Sequence, residues 1–134
     1  MTEYTICGGR RLSGEIDLQG SKNASLPILA ATLMTRSVSV LHNCPDLSDV
    51  RQSLKILQSL GCECTYENQT AVIDSRNADG TVIDDVLMCA MRSSIIFLGA
   101  MLSRNGSAVV SRPGGCELGP RPIDLHLSAL RSMG

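Results

Sequence analysis

The stretch Arg112-Pro113-Gly114-Gly115-Cys116-Glu117-Leu118-Gly119-Pro120-Arg121-Pro122 holds the residues best suited to chemistry. Its glycines let the chain bend and its prolines restrict where it bends, a mixture that suits a closing lid. Cys116 stands among polar, flexible neighbours, whereas a structural free cysteine is ordinarily packed among apolar ones. Arg112 and Arg121 are near enough in sequence to stabilise a thiolate or to hold an anion beside it. An exposed cysteine with no role also fits these residues taken alone.

A second candidate is Ser21-Lys22-Asn23, between a segment closed by Gly20 and a long apolar run. A helix starting here offers free N–H groups and a positive dipole end, which together favour anions. An ordinary N-cap beside a solvated lysine fits the triplet equally well. Arg92 adds weight to the anion reading, because it interrupts another apolar run, where a charge needs a partner of opposite sign. Lys22 and Arg92 together suggest a clamp for anionic ligands.

These residues need elements to position them. Alternation over residues 15–18 predicts a strand, and the apolar run 24–34 predicts a buried helix. Residues 37–41 alternate again through Val38 and Val40. Pro45 and Asp46 then open an amphipathic helix with Val50, Leu54, Leu57 and Leu60 inward, stopped by Gly61. Two short strands, 63–67 and 70–74, flank a turn at Asn68-Gln69. A second cycle predicts an apolar helix over 86–102, a strand over 107–111, the glycine-rich loop, and a last helix led by Pro122 with Ile123, Leu127 and Leu130 on one face.

The two cycles superimpose. An offset of 70 places Lys22 on Arg92, Val38 on Ala108 and Val40 on Val110; beyond the loop the offset is 73, and Val50, Leu54, Leu57, Leu60 and Gly61 meet Ile123, Leu127, Leu130, Met133 and Gly134. The pattern predicts an internal repeat with an insertion around residues 114–120. The first cycle is completed by two strands after Gly61, and no such strands follow Gly134. The expectation is therefore a piece of a longer protein.

Bulk composition narrows the partners. Apolar residues make up 43% of the 134 and charged residues 19%, a globular balance. A net charge of −1, with no long basic run, argues against nucleic acid or a polybasic membrane contact, and the three aromatic residues argue against a base-stacking surface. Residues 1–11 contain no signal-peptide core, and no run of 18 uninterrupted apolar residues occurs. A cytoplasmic location with reduced cysteines is expected. Cys62 and Cys64 lack the second pair that a zinc site requires, and read as alternation in a strand.

Three motifs resemble one family. Gly20-Ser21-Lys22-Asn23-Ala24 with Leu26-Pro27-Ile28-Leu29, then Met91-Arg92-Ser93-Ser94-Ile95, then Pro113 through the cysteine loop to Arg121-Pro122-Ile123-Asp124-Leu125-His126-Leu127, are similar, in order and spacing, to the UDP-N-acetylglucosamine 1-carboxyvinyltransferase family of enolpyruvyl transferases. The resemblance covers essentially the whole chain. It implies an α/β (α+β) fold, the inverted α/β fold built from βαβαββ repeats and incomplete here. On that pattern residues 1–20 form a strand segment belonging to the other domain. Residues 21–134 form a truncated domain, with a first repeat over about 14–75 and a partial second over about 84–134.

The resemblance also implies an activity. The enolpyruvyl group of phosphoenolpyruvate moves to the 3′-hydroxyl of UDP-N-acetylglucosamine and phosphate leaves, the first committed step of peptidoglycan synthesis. Lys22 and Asn23 match the phosphoenolpyruvate-binding pair. Arg92, Arg121, Pro122, Ile123, Asp124 and Leu125 match positions that contact the UDP-sugar. Cys116 matches the proton-donating loop cysteine, the target of the epoxide fosfomycin. No metal or organic cofactor is implied. The partners implied are the two small molecules and the C-terminal part of the same enzyme, which in the family carries a general-base aspartate and further arginines; nucleic acid and membrane are not among them. The 134 residues by themselves are therefore expected to be inactive. The shikimate-pathway enolpyruvyl transferase shares the fold, but the Pro-Gly-Gly-Cys loop argues against it. A non-catalytic UDP-sugar-binding relic is the remaining alternative.

Overall fold

The computed structural model describes residues 3–114 and 122–134. In chain order the elements are α1 (Lys22–Thr35), β1 (Val38–Leu41), α2 (Ser48–Ser59), β2 (Glu63–Glu67), β3 (Thr70–Asp74), α3 (Asp85–Ala90), a 3-10 turn (Arg92–Ile95), α4 (Ile96–Asn105) and α5 (Asp124–Ser132). Each helix boundary has a local cause. Ser21 caps α1 by accepting the Ala24 N–H at 3.4 Å, and the chain leaves α1 through Arg36 in the left-handed region. Gly61, at φ 93°, turns the chain out of α2 as expected.

The strands form one antiparallel sheet in the order β1-β3-β2. Asn68 and Gln69, both at positive φ, make the tight turn that joins β2 to β3, and the register pairs Glu67 with Thr70 and Cys64 with Ile73. Because β3 lies between them and opposes both, β1 and β2 run parallel and are joined through α2. Ala71 and Ile73 of β3 face inward with Cys64 and Tyr66, while Val38 and Val40 on the other face are about half exposed. The core lies between the inner face of the sheet and the helices: Leu29 and Leu33 of α1, Val50, Ile56 and Leu57 of α2, and Phe97 and Met101 of α4 are all fully buried. Each such side chain contributes about 1.5–3 kcal/mol of transfer free energy.

Three expectations need correction. Residues 15–18 form no strand among the described residues, and Ile16 and Leu18 are more than four-fifths exposed. An isolated extended segment has no partner for its backbone N–H and C=O groups, so alternation alone does not make a strand. The helix expected over 86–102 is broken: α3 stops at Ala90, Met91 is extended (φ −146°, ψ 151°), and a 3-10 turn leads into α4. Ser94 stabilises the break, since its one hydroxyl hydrogen is shared between the Met88 carbonyl at 2.8 Å and that of Met91 at 3.0 Å, and the Gly114 N–H also reaches the Met88 carbonyl, at 2.9 Å. Residues 107–111 contribute a single parallel bridge, Val109 to Val82, rather than a strand. The helix α1 is also less buried than its composition suggests, with Ile28 and Met34 about half exposed.

The break brings the two cycles into closer correspondence. α1 begins at Lys22, and the 3-10 turn begins at Arg92; the left-handed caps fall at Arg36 and Gly106, again 70 apart. α2 and α5 end at Ser59 and Ser132, followed by positive-φ glycines at 61 and 134.

Candidate functional site

Lys22 and Asn23 occupy the first turn of α1, both exposed. The turn is fixed from two sides. Ser25 donates to the Ser21 carbonyl at 2.9 Å, and Gly20 donates to the Asn43 side-chain oxygen at 3.1 Å. Only glycine fits at position 20, because a Cβ there would overlap the Asn43 carbonyl oxygen. The loop after β1 is thus pressed against the residues that start α1. That approach also brings in the start of α2, where Asp49 accepts a hydrogen bond from Lys22 Nζ at 2.9 Å. The second acid of this region, Asp46, is engaged by Arg51 through two hydrogen bonds of 2.6 and 2.7 Å, and Arg51 lies over the Tyr66 ring at 5.7 Å. The Arg51 guanidinium holds the Asp46 carboxyl below the usual carboxylate range.

The second cycle builds a related junction. Gly114 donates to the Met88 carbonyl at 2.9 Å, and a Cβ on Gly114 would overlap the Cys89 carbonyl oxygen. The segment entering the loop is held further by Val109, which donates to Thr81 at 2.7 Å and accepts from Ile83 at 3.1 Å. One foot of the cysteine loop is therefore anchored on the end of α3. Arg92 is exposed at the first position of the 3-10 turn, not inside a helix as expected, and so needs no buried counter-ion. Cys116 and Arg121 lie outside the described residues.

Of the other expected ligand positions, Pro122, Asp124 and Leu125 are exposed, and Ile123 is half-buried beside α4. Ile123, with Ala129 and Leu130 of α5 and Ile95, Leu98 and Gly99 of the preceding helices, lines an apolar groove of about 450 Å³. Among the described residues no hydrogen bond or ion pair joins Lys22 to Arg92. No group of three metal-ligating side chains occurs among them, and no described helix is long and apolar enough to cross a membrane.

The described thiols divide by burial. Burial pushes Cys62 up to about 11 and Cys64 up to about 12, and raises Cys44 as well, whereas Cys7 and Cys89 are exposed. Two contacts of charged residues are not legible in the sequence. Asp49 pairs with Lys22 across 27 positions, which no local pattern announces. Arg104, in the last turn of α4, is 8% exposed and donates to four backbone carbonyls. A signal for Arg104 exists in the sequence, since a charge at the end of an apolar helix, like one inside it, needs polar partners of its own.

Comparison with known proteins agrees with this fold. Residues 6–134 match the family described as EPSP synthase (3-phosphoshikimate 1-carboxyvinyltransferase). The chain is 48% identical, over its whole length, to UDP-N-acetylglucosamine 1-carboxyvinyltransferase 2 of Caldanaerobacter subterraneus subsp. tengcongensis, and 50% identical to the UDP-N-acetylglucosamine 1-carboxyvinyltransferase of Pelodictyon phaeoclathratiforme. In both cases it spans 32% of the relative's length. Among solved structures, the enolpyruvyl transferase NikO from Streptomyces tendae matches 92% of this chain with a TM-score of 0.76 and 25% identity, using 27% of its own length. The architecture is thus a mixed α/β part of the enolpyruvyl-transferase fold.

Proposed function

The chain belongs to the EPSP synthase family, and on that premise we propose that it supplies one part of an enzyme that transfers the enolpyruvyl group of phosphoenolpyruvate to the 3′-hydroxyl of UDP-N-acetylglucosamine. The observation that carries this reading is the identity of 48–50% along the entire chain to transferases named for that sugar nucleotide. The family description names the shikimate enzyme, but the loop Pro113-Gly114-Gly115-Cys116 and these relatives favour the sugar acceptor. In this reading residues 1–20 serve another domain, and residues 21–134 form one repeat and part of a second. The product feeds peptidoglycan synthesis.

Physical chemistry supports the assignment of roles. Phosphoenolpyruvate carries a phosphate and a carboxylate, which fixed cations and helix-start N–H groups bind well. Lys22 has three donors, one of them taken by Asp49, so two remain for an anion; Asn23 adds a neutral donor on the same turn. The sugar hydroxyl gives its proton to a base, the aspartate that the resemblance places in the C-terminal part of the enzyme, as its oxygen bonds to C2 of the enolpyruvyl group; the methylene carbon gains a proton, for which Cys116 is the donor. Elimination then breaks the C2–O bond to phosphate, and the new methyl carbon returns a proton to the enzyme. A positioned acid accelerates such a step by roughly a hundred- to ten-thousandfold. Arg92, Arg121, Pro122, Ile123, Asp124 and Leu125 contact the UDP-sugar. A closing loop would keep water from competing with the sugar hydroxyl.

A chimera tests the reading: residues 1–134 replace the matching third of the Caldanaerobacter relative. The expected result is phosphate release from phosphoenolpyruvate with UDP-N-acetylglucosamine and none with shikimate 3-phosphate. Fosfomycin is expected to alkylate Cys116, faster when UDP-N-acetylglucosamine is present. Mass spectrometry placing the adduct elsewhere, or phosphate release with shikimate 3-phosphate alone, would overturn the assignment. The 134-residue chain by itself is expected to release no phosphate.

A further inference from the structure

We propose that Asp49 is the positioning residue of Lys22, holding its ammonium in place for the anionic substrate and affecting the reaction only through that lysine. The inference rests on the enolpyruvyl-transfer reading and adds a residue from a different helix to it.

Lys22 is the first residue of α1, where the helix dipole places positive potential, so the ammonium is repelled by its own helix. Its side chain is 46% exposed, on a flexible four-carbon stem that would otherwise swing into solvent. Asp49, 27% exposed in the first turn of α2, takes one of its three donors at 2.9 Å. The neighbouring acid, Asp46, cannot substitute, because Arg51 occupies both of its oxygens. The Lys22–Asp49 pair thus fixes the cation at the meeting point of two helix starts and leaves one side of it open.

As the acid in the first turn of α2, Asp49 complements that helix's dipole, a share that Asp124 takes in α5. At the offset that relates α2 to α5, however, Asp49 corresponds to Pro122, so dipole complementation does not require the acid at this exact position. A partly exposed ion pair also contributes little to stability. What Asp49 changes is the aim of Lys22. Removing its negative charge should not weaken ground-state attraction for an anion, since Lys22 then carries more unopposed positive charge. It should instead lose the preorganisation on which transition-state stabilisation depends.

The test uses the chimera carrying Asp49→Asn, Asp49→Glu, Lys22→Ala, and Asp49→Asn combined with Lys22→Ala. For Asp49→Asn, kcat is expected to fall about tenfold or more, with KM for phosphoenolpyruvate unchanged or lower. Asp49→Glu should recover most of the loss, and Asp49→Asn should add nothing in the Lys22→Ala background. Wild-type kcat in Asp49→Asn, a loss expressed through KM alone, or an equal loss in the Lys22→Ala background would each overturn the proposal. If the unsubstituted chimera releases no phosphate, the transferase reading fails, and the positioning claim is judged on the 134-residue chain by NMR. There the order parameter of the Lys22 ε-methylene is expected to drop in Asp49→Asn; an unchanged value refutes it.

Discussion

Replacing Arg104 by methionine removes a buried cation whose partners are all backbone carbonyls. Its Nε donates to Ala78 and its two terminal nitrogens to Leu33 and Ser75, each at 2.6 Å, with a fourth contact to Arg76 at 3.3 Å. Leu33 lies near the C-terminal end of α1, where the dipole favours a cation, and Arg36 returns the tie by donating to the Arg104 carbonyl at 2.9 Å. Three short bonds to a charged donor would each be worth about 1.5–3 kcal/mol in isolation. The desolvation of the guanidinium offsets part of that, but methionine takes a donor from the Leu33 and Ala78 carbonyls, and a buried group left unsatisfied costs about 1–3 kcal/mol, while the Ser75 carbonyl keeps the Ala78 N–H at 3.3 Å. A net loss of about 4 kcal/mol follows. With an unfolding entropy of about 2.1 cal/mol/K per residue, 134 residues give roughly 0.28 kcal/mol/K, so 4 kcal/mol corresponds to a fall in Tm of about 14 °C. Circular dichroism melts of the wild-type chain, Arg104→Met and Arg104→Lys provide the assay. Lysine, with one ammonium and no planar fork, should fall between the other two. A methionine variant melting within about 3 °C of wild type would refute the idea that Arg104 staples α1, α4 and the segment after β3 together.

Two further outcomes follow from thiols and close approaches. Cys62 and Cys64 have folded pKa values above the ordinary 9.0, about 11 and about 12, so their contribution to stability is fully present below pH 9 and is lost as pH rises through 11 to 12. Urea midpoints should therefore fall across that window, and less so in Cys64→Val; a flat profile would contradict the burial assigned to these thiols. At pH 8 a thiol reagent should label Cys7 and Cys89 rapidly and Cys44, Cys62 and Cys64 only on unfolding, as peptide mapping would show. Gly80→Ala would place a Cβ 2.7 Å from the Leu60 Cα, in backbone that cannot yield cheaply, and should cost about 1–3 kcal/mol in denaturant titration.

Much of the first cycle was legible in the sequence because its determinants are local. Alternation in Glu63–Glu67 and the short apolar run inside Thr70–Asp74, on either side of Asn68-Gln69, specify a hairpin from local signals, and the spacing of Val50, Leu54 and Leu57 specifies which face of Ser48–Ser59 is buried. Lys22 and Asn23 could be placed at a helix start because Gly20 and Ser21 mark one. Family membership was legible too, since motif order and spacing survive without any knowledge of contacts.

What only the tertiary structure decided concerns groups whose partners are remote in sequence. Residues 15–18 alternate like a strand, but a strand exists only where another backbone pairs with it. Residues 86–102 are apolar enough for one helix, yet the Ser94 hydroxyl and the Gly114 N–H hold the carbonyls at a break, which puts Arg92 at an exposed start rather than in a helix interior. Arg104 finds its carbonyls up to 71 positions away, and Lys22 finds Asp49 at 27. Periodicity encodes which face is buried; it carries no information about which distant polar group a buried or half-buried charge will meet, and that meeting is what fixes where the charge sits.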